Sequence, residues 1–121
     1  MRPDLFRTVL VEVPFVDVIN TMFDSSIPWT AYEYEEWGNP ENKDIYDCML
    51  TYCPYTNLAE TEYPHMLVVA GLNDQRVAYW EPAKYVAKLR GLKKDNNLLL
   101  LRVQDAGHSG SSGQYEFMQV C

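Results

Sequence analysis

Two short runs of consecutive apolar residues constrain the fold of this chain more than any other feature. HMLVVAGL spans residues 65–72, and NLLLLRV spans residues 97–103. Each run has the length and aliphatic content of a strand that is buried on both faces. Between them, residues 79–92 place their apolar side chains on one side of a helix. This order predicts two parallel strands that are joined through a helical crossover, as in an α/β fold.

The N-terminal half adds a third strand and several short helices. Residues 6–13, FRTVLVEV, are rich in β-branched residues and are closed by Pro14, so they predict a strand. A capping box, Thr30-Ala-Tyr-Glu33, predicts the start of a short helix that Gly38-Asn39-Pro40 ends. The predicted architecture is a parallel sheet with flanking helices. The predicted helices, besides that at 79–92, cover residues 16–22, 31–37 and 45–52, and a last one begins at Ser111.

The chain has 121 residues and a formal charge of −7, and both limit the classes of function it can serve. Its length suits one domain with a single core. Residues 31–62 carry eight acidic residues against Lys43 alone. Such an acidic surface argues against nucleic acid as a partner and favours a cationic substrate, although a solvated acidic face is an equally ordinary interpretation.

The remaining composition indicates a cytoplasmic protein that does not bind membranes. No apolar stretch is long enough to cross a bilayer, and the N-terminus has no secretory signal pattern. The three cysteines, Cys48, Cys53 and Cys121, are odd in number and lack metal-ligand spacing. Reduced thiols are therefore expected, with neither a disulfide framework nor a zinc site.

One titratable residue follows each of the two apolar runs closely. Asp74 comes after the first run and His108 after the second. Because the carboxyl ends of parallel strands meet at one edge of the sheet, both side chains should lie there. A carboxylate on one imidazole nitrogen fixes the tautomer and orientation of a catalytic base, as in the triad of an α/β-hydrolase. Taken singly, Asp74 could instead be a loop or N-cap residue and His108 a loop histidine.

The serine of such a triad should precede both residues on a tight turn, but residues 1–73 contain no G-x-S-x-G pattern. Gly107-His108-Ser109-Gly110-Ser111 resembles that turn, yet Ser111 replaces its last glycine and no histidine follows. A complete small esterase that uses Ser109 is thus the weaker alternative. His65, which opens a strand, is expected to be structural.

Two further charged residues could contact a substrate. Arg76 is either a solvated cation or a donor that binds a substrate carbonyl or carboxylate. Glu33 either completes the capping box or binds a substrate cation, since one carboxylate cannot easily do both.

A series of motifs runs through nearly the whole chain and resembles the prolyl oligopeptidase family of serine peptidases. NDxRV and AGH are shared with the wider family, whereas EEWGNP and YWEPAK are similar to its oligopeptidase B branch, which cleaves after Arg and Lys. The motifs are RPDLF (2–6), VPFVDVINTM (13–22), EEWGNP (35–40), YCPYTN (52–57), YPHMLVVAGLNDQRVAYWEPAKYVAKLR (63–90) and AGH (106–108).

The resemblance implies a role for each candidate residue. Asp74 and His108 would be the triad acid and base, and Arg76 would hold the substrate backbone. Glu33, and second Glu35, would bind the basic side chain before the cleaved bond. No cofactor or metal is implied.

The resemblance also implies that residues 1–121 are the C-terminal portion of a catalytic domain and hence a partial α/β-hydrolase fold. The serine turn would lie ahead of Met1, and the family's β-propeller would be absent. We therefore expect the chain alone to be inactive, and its complete form to cleave short peptides after basic residues. The alternative is a non-catalytic α/β-hydrolase-like interaction module. An exposed edge at Phe6–Val13 would favour self-association.

Overall fold

A three-stranded parallel sheet organises the chain, in a computed structural model that describes residues 3–109. The strands are β1 (Thr8–Glu12), β2 (His65–Gly71) and β3 (Leu99–Gln104), and they lie in the order β1-β2-β3. Both strand pairs are parallel. The predicted α/β fold with a parallel sheet is confirmed, and each strand overlaps its predicted range.

Four helices connect the strands, after a short 3-10 turn at Pro3–Leu5. Three of them lie between β1 and β2, and the last crosses from β2 to β3. The Asn42 side chain accepts a hydrogen bond from the Asp44 backbone N–H at 2.9 Å, so the third helix begins before the predicted Ile45. The predicted helix from Ser111 onward lies outside the described residues. The helices are α1 (Val18–Phe23), α2 (Tyr34–Trp37), α3 (Lys43–Tyr52) and α4 (Trp80–Leu92).

The capping box predicted at Thr30 and Glu33 does not form. Thr30 is buried, and its hydroxyl donates to the carbonyl oxygen of Thr21 at 3.1 Å instead of capping a helix. Residues 29–33 make turns, and Glu33 itself is the N-cap of α2, without a side-chain capping bond. The predicted helix at 31–37 is therefore only the four residues of α2, because a long-range acceptor takes the hydroxyl on which the local motif depends.

Two apolar clusters of buried residues form the core of the described chain. Helix α4 packs against β2 and β3, and α1 packs against α3. The first cluster joins the sheet to α4, and the second joins α1 to α3. The first contains Val16, Leu58, Tyr63, Val68, Tyr85, Val86 and Leu89, and the second contains Val18, Ile19, Met22, Met49 and Cys53.

The opposite face of the sheet is partly uncovered in the described part of the chain. Leu10, Leu67 and Leu100 are register partners across the three strands. Leu10 is 49% exposed and Leu100 is 50% exposed. The prediction that residues 97–103 are buried on both faces is therefore wrong here: α4 covers one face, and nothing among residues 3–109 covers the other to the same extent. No helix within these residues is long and apolar enough to cross a membrane.

Candidate active site

Backbone hydrogen bonds join the loop that follows β2 to the loop that follows β3. The Leu72 N–H donates to the Gln104 carbonyl at 2.8 Å, and the Asn73 N–H donates to the Ala106 carbonyl at 3.0 Å. The Asn73 side-chain amide adds a bond of 2.6 Å to the Asp105 carboxylate. These bonds fix the residues just before Asp74 against those just before His108.

Gly71 permits this close approach because it has no side chain. A Cβ at position 71 would lie 2.6 Å from the carbonyl oxygen of Ala106 and 2.7 Å from that of Gly107. Both distances are shorter than van der Waals contact, so any other residue would push the two loops apart. The glycine of the AGLND segment is thus a requirement of the site's geometry.

Asp74 uses its two carboxylate oxygens for different purposes. Oδ1 accepts hydrogen bonds from the backbone N–H groups of Arg76 at 2.8 Å and Val77 at 3.0 Å. Oδ2 lies 2.9 Å from Nδ1 of His108. The Asp74 side chain is fully buried. It does not cap α4, whose N-cap is Tyr79, so the capping alternative is wrong and the predicted pairing with His108 is present.

His108 is held by one ring nitrogen and leaves the other available. A carboxylate can only accept a hydrogen bond, so a bond between the two groups requires the imidazole tautomer with its hydrogen on Nδ1. The side chain is 35% exposed, and Nε2 has no hydrogen-bond partner among residues 3–109. The imidazole can therefore accept a proton at Nε2 from a group that approaches from solvent, and Asp74 would stabilise the resulting imidazolium.

Arg76 bonds to Asp74 through its backbone N–H, and its side chain contacts an aromatic ring that no sequence motif had indicated. Its guanidinium carbon is 5.2 Å from the centroid of the Trp29 ring, which is a cation–π arrangement. Both side chains are exposed. Trp29 therefore connects Arg76 to the turn that leads to Glu33.

Glu33 and Glu35 lie on this same segment, one at the N-cap of α2 and one in its first turn. Glu33 is half-buried and Glu35 is exposed. Neither carboxylate has a hydrogen bond or ion pair within residues 3–109, so neither is committed to a structural bond there. No such bond joins them directly to Asp74, Arg76 or His108.

The other histidine and the described serines do not extend the site. His65 begins β2 at the opposite end of the sheet, where its Nδ1 accepts from the Leu98 N–H at 2.9 Å. Ser109 is exposed and makes no hydrogen bond to the His108 ring within the described residues. Ser26 donates its hydroxyl to Asp24 in a surface turn. Over residues 3–109, no three His, Cys, Asp or Glu side chains are grouped as metal ligands.

A buried polar cluster at the start of α4 was not predicted. Glu81, in the first turn of α4, is only 1% exposed, and burial raises the pKa of its carboxyl group. It accepts hydrogen bonds from the Asp17 backbone N–H and the Thr21 hydroxyl, and Asp17 forms an ion pair with Lys84. No sequence signal marks this glutamate as buried, because acids in the first turn of a helix are usually solvated.

Known proteins match the chain over almost all of its length. Relatives include "Protease 2" of Moraxella lacunata, 47% identical over 98% of this chain, and "Dipeptidyl aminopeptidase BI" of Pseudoxanthomonas mexicana, 52% identical over 95%. These alignments span 17% and 16% of the two relatives' own lengths.

Solved structures of oligopeptidase B superpose closely on this chain. The enzyme from Leishmania major gives a TM-score of 0.93 at 51% identity, and that from Trypanosoma brucei gives 0.91 at 48%. Each alignment covers 99% of this chain and 18% of the other. The fold is therefore that of part of an α/β-hydrolase. The model of the prolyl oligopeptidase family matches residues 1–120, so the chain belongs to that family, as its motifs predicted.

Proposed function

We propose that this chain supplies the acid, the base and substrate-binding residues of a serine endopeptidase that cleaves short peptides after Arg or Lys. The observation that carries the proposal is the hydrogen bond between buried Asp74 and half-exposed His108. In the reaction, Nε2 of His108 takes the proton of a serine hydroxyl and later gives it to the leaving amine. Asp74 keeps the imidazole in the correct tautomer and stabilises its charged form.

We propose further that the serine belongs to a preceding part of the same polypeptide, and that residues 1–121 are the C-terminal portion of the catalytic domain. Ser109 follows His108, which is the wrong chain order for this fold. Parallel sheets in α/β proteins are covered on both faces, and the exposure of Leu10 and Leu100, which no element within residues 3–109 covers fully, fits a sheet that packs against further parts of the domain. Without the serine, the chain alone would be inactive.

The proposed preference for basic residues rests on the acids of the α2 segment. As the family resemblance implies, Glu33 is the first choice and Glu35 the second. Either carboxylate could bind a substrate cation, because neither has a structural partner among the described residues. Side chains two positions apart on a helix point in different directions, so only one of the two carboxylates should make the main contact with the basic side chain. Arg76 would hold a carbonyl oxygen of the substrate backbone.

Free thiols at Cys48 and Cys53 support a cytoplasmic location.

The test compares the purified 121-residue chain with the protein from the complete open reading frame, using an Arg-Arg coumarin amide. We expect cleavage only by the complete protein. His108→Ala should lower its kcat by about 10⁴-fold or more. His65→Ala is the matched control, because it removes a histidine from the opposite end of the sheet and should leave most of the activity.

Specificity is tested by Glu33→Gln and Glu35→Gln. We expect Glu33→Gln to raise KM for the Arg substrate by about tenfold or more, with a smaller effect at Glu35. If the 121-residue chain cleaves the substrate, and His108→Ala abolishes that cleavage, the proposal that the chain alone is inactive is refuted. A complete protein without activity, and without a serine on the nucleophile turn, would favour the non-catalytic interaction module.

A further inference from the structure

Glu81 fixes the start of α4 to α1. It comes seven residues after Asp74 in the chain, and its Oε1 accepts from the Asp17 backbone N–H at 2.6 Å. Its Oε2 accepts from the Thr21 hydroxyl at 2.8 Å. Both donors belong to the segment that includes α1, some sixty residues earlier in the chain. The carboxylate thus anchors the loop that carries the acid and arginine of the site to a second, distant part of the chain.

The same hydrogen bonds continue to the turn before α2. The Thr21 carbonyl accepts from the Thr30 hydroxyl at 3.1 Å, and the Thr30 carbonyl accepts from the Glu33 N–H at 3.2 Å. Trp29, next to Thr30, lies beneath the guanidinium of Arg76. Two routes therefore join the Asp74–Arg76 loop to the Glu33 turn, one through Glu81 in the interior and one through Trp29 at the surface.

Stability alone does not explain a buried glutamate at position 81. Its carboxylate is buried, and among residues 3–109 it forms no ion pair, since Lys84 pairs with Asp17. A buried acid of this kind costs stability relative to an apolar side chain of similar volume. What it provides is two directed acceptors, which an apolar side chain would lack.

We propose that Glu81 is a positioning residue that holds the Glu33 turn at a fixed place relative to Asp74 and Arg76, and so sets the preference for a basic side chain. This inference rests on the proposed function. Loss of the Glu81 bonds would let the 29–33 turn shift while the Asp74–His108 pair, which has its own bonds, stays in place.

The test uses the complete protein, an Arg coumarin amide and the matched citrulline coumarin amide, whose side chain has a similar shape but no charge. Active sites are titrated with a fluorophosphonate. Glu81→Ala should reduce the ratio of kcat/KM for Arg over citrulline by about tenfold, mainly through KM for Arg, because small displacements of binding groups cost that much. Glu81→Gln should retain most of the ratio, since the Thr21 hydroxyl can reverse its bond to meet the amide.

Two further variants separate positioning from general destabilisation. Thr21→Val breaks the same link without emptying the Glu81 site and should lower the ratio in the same direction. Asp95→Asn is the control: Asp95 is a half-buried acid that pairs with Lys93 and accepts two backbone N–H groups, from Tyr63 at 2.7 Å and Asn97 at 2.8 Å, but no hydrogen bond links it to the Glu33 turn within residues 3–109. An unchanged ratio in Glu81→Ala and Thr21→Val, with only fewer titratable sites, would overturn the inference.

Hydrogen exchange tests the coupling independently of activity. Glu81→Ala should speed exchange of the Glu33 amide by about tenfold or more, because that amide is protected by bonds to Trp29 and Thr30. Asp95→Asn should leave it unchanged. If the wild-type protein has no peptidase activity, the proposed function fails, yet this measurement still decides the coupling. Equal exchange at Glu33 in Glu81→Ala and wild type would refute it.

Discussion

Substitution of Gly71 by Ala should disturb the site through the backbone alone. The new Cβ would lie 2.6 Å from the Ala106 carbonyl oxygen and 2.7 Å from that of Gly107. Restoring a contact of about 3.4 Å requires the loops to separate by roughly 0.8 Å, since close non-bonded atoms repel steeply. Overpacking of this kind typically costs about 1–3 kcal/mol of unfolding free energy. Because Ala106 immediately precedes the Gly-His108 segment, the shift reaches the imidazole.

Two measurements check this expectation. Denaturant unfolding should show a loss of about 1–3 kcal/mol for Gly71→Ala, and in the complete protein a misplacement close to 1 Å should lower kcat/KM by about 10²-fold. Gly91→Ala is the matched control, because a Cβ there meets nothing within 4 Å and lies in α4. Alanine should stabilise that helix by about 0.5–1 kcal/mol. A Gly71→Ala protein with wild-type stability and activity would refute the reasoning.

Three further predictions follow from other parts of the fold. The Lys93 ammonium and two backbone N–H groups lower the pKa of Asp95 to about 2, so its stabilisation is complete above pH 4 and is lost towards pH 2. In denaturant titrations, the stability difference between wild type and Asp95→Asn should therefore shrink over that range. Gly38→Ala should cost about 1–3 kcal/mol in thermal or denaturant unfolding, because φ is 90° there. The 121-residue chain should associate through the β1 edge in light scattering, and Leu10→Lys should weaken association; a monodisperse wild-type monomer would contradict this.

The strands could be predicted from sequence because each is an aliphatic run that has little alternative to burial. The boundaries of β2 agree to within one residue of the run at 65–72. Coverage of the sheet could not be predicted, because an aliphatic strand looks the same whether one face or both are packed. The exposed Leu100 in β3 illustrates this limit.

Some features of the site could likewise be predicted from local sequence, whereas others depend on partners that are distant in the chain. The approach of Asp74 to His108 could be expected, since both follow neighbouring parallel strands. The capping box at Thr30 failed because a carbonyl nine residues earlier in the chain captured its hydroxyl. Glu81 was missed because its donors, among them Asp17 and Thr21, lie far away in sequence. Local motifs predict what a residue can do, but long-range partners decide which option it takes.

The failure of that capping box bears directly on the substrate preference we propose. While Glu33 was assigned to the cap, its carboxylate had a structural use that competed with binding a cation. In the structure Thr30 bonds to Thr21 instead, and Glu33 has no side-chain capping bond. The hydrogen bond from the Thr30 hydroxyl to the Thr21 carbonyl also links the Glu33 turn to Glu81, because the Thr21 hydroxyl donates to Glu81. Breaking it with Thr30→Val should displace the turn, and no capping box can replace it, because valine has no hydroxyl and the backbone N–H of residue 30 already donates to the Ile27 carbonyl. The displaced turn lowers the preference for Arg, and Thr30→Val removes the bond made by the turn itself, so it should lose discrimination between Arg and citrulline at least as strongly as Thr21→Val.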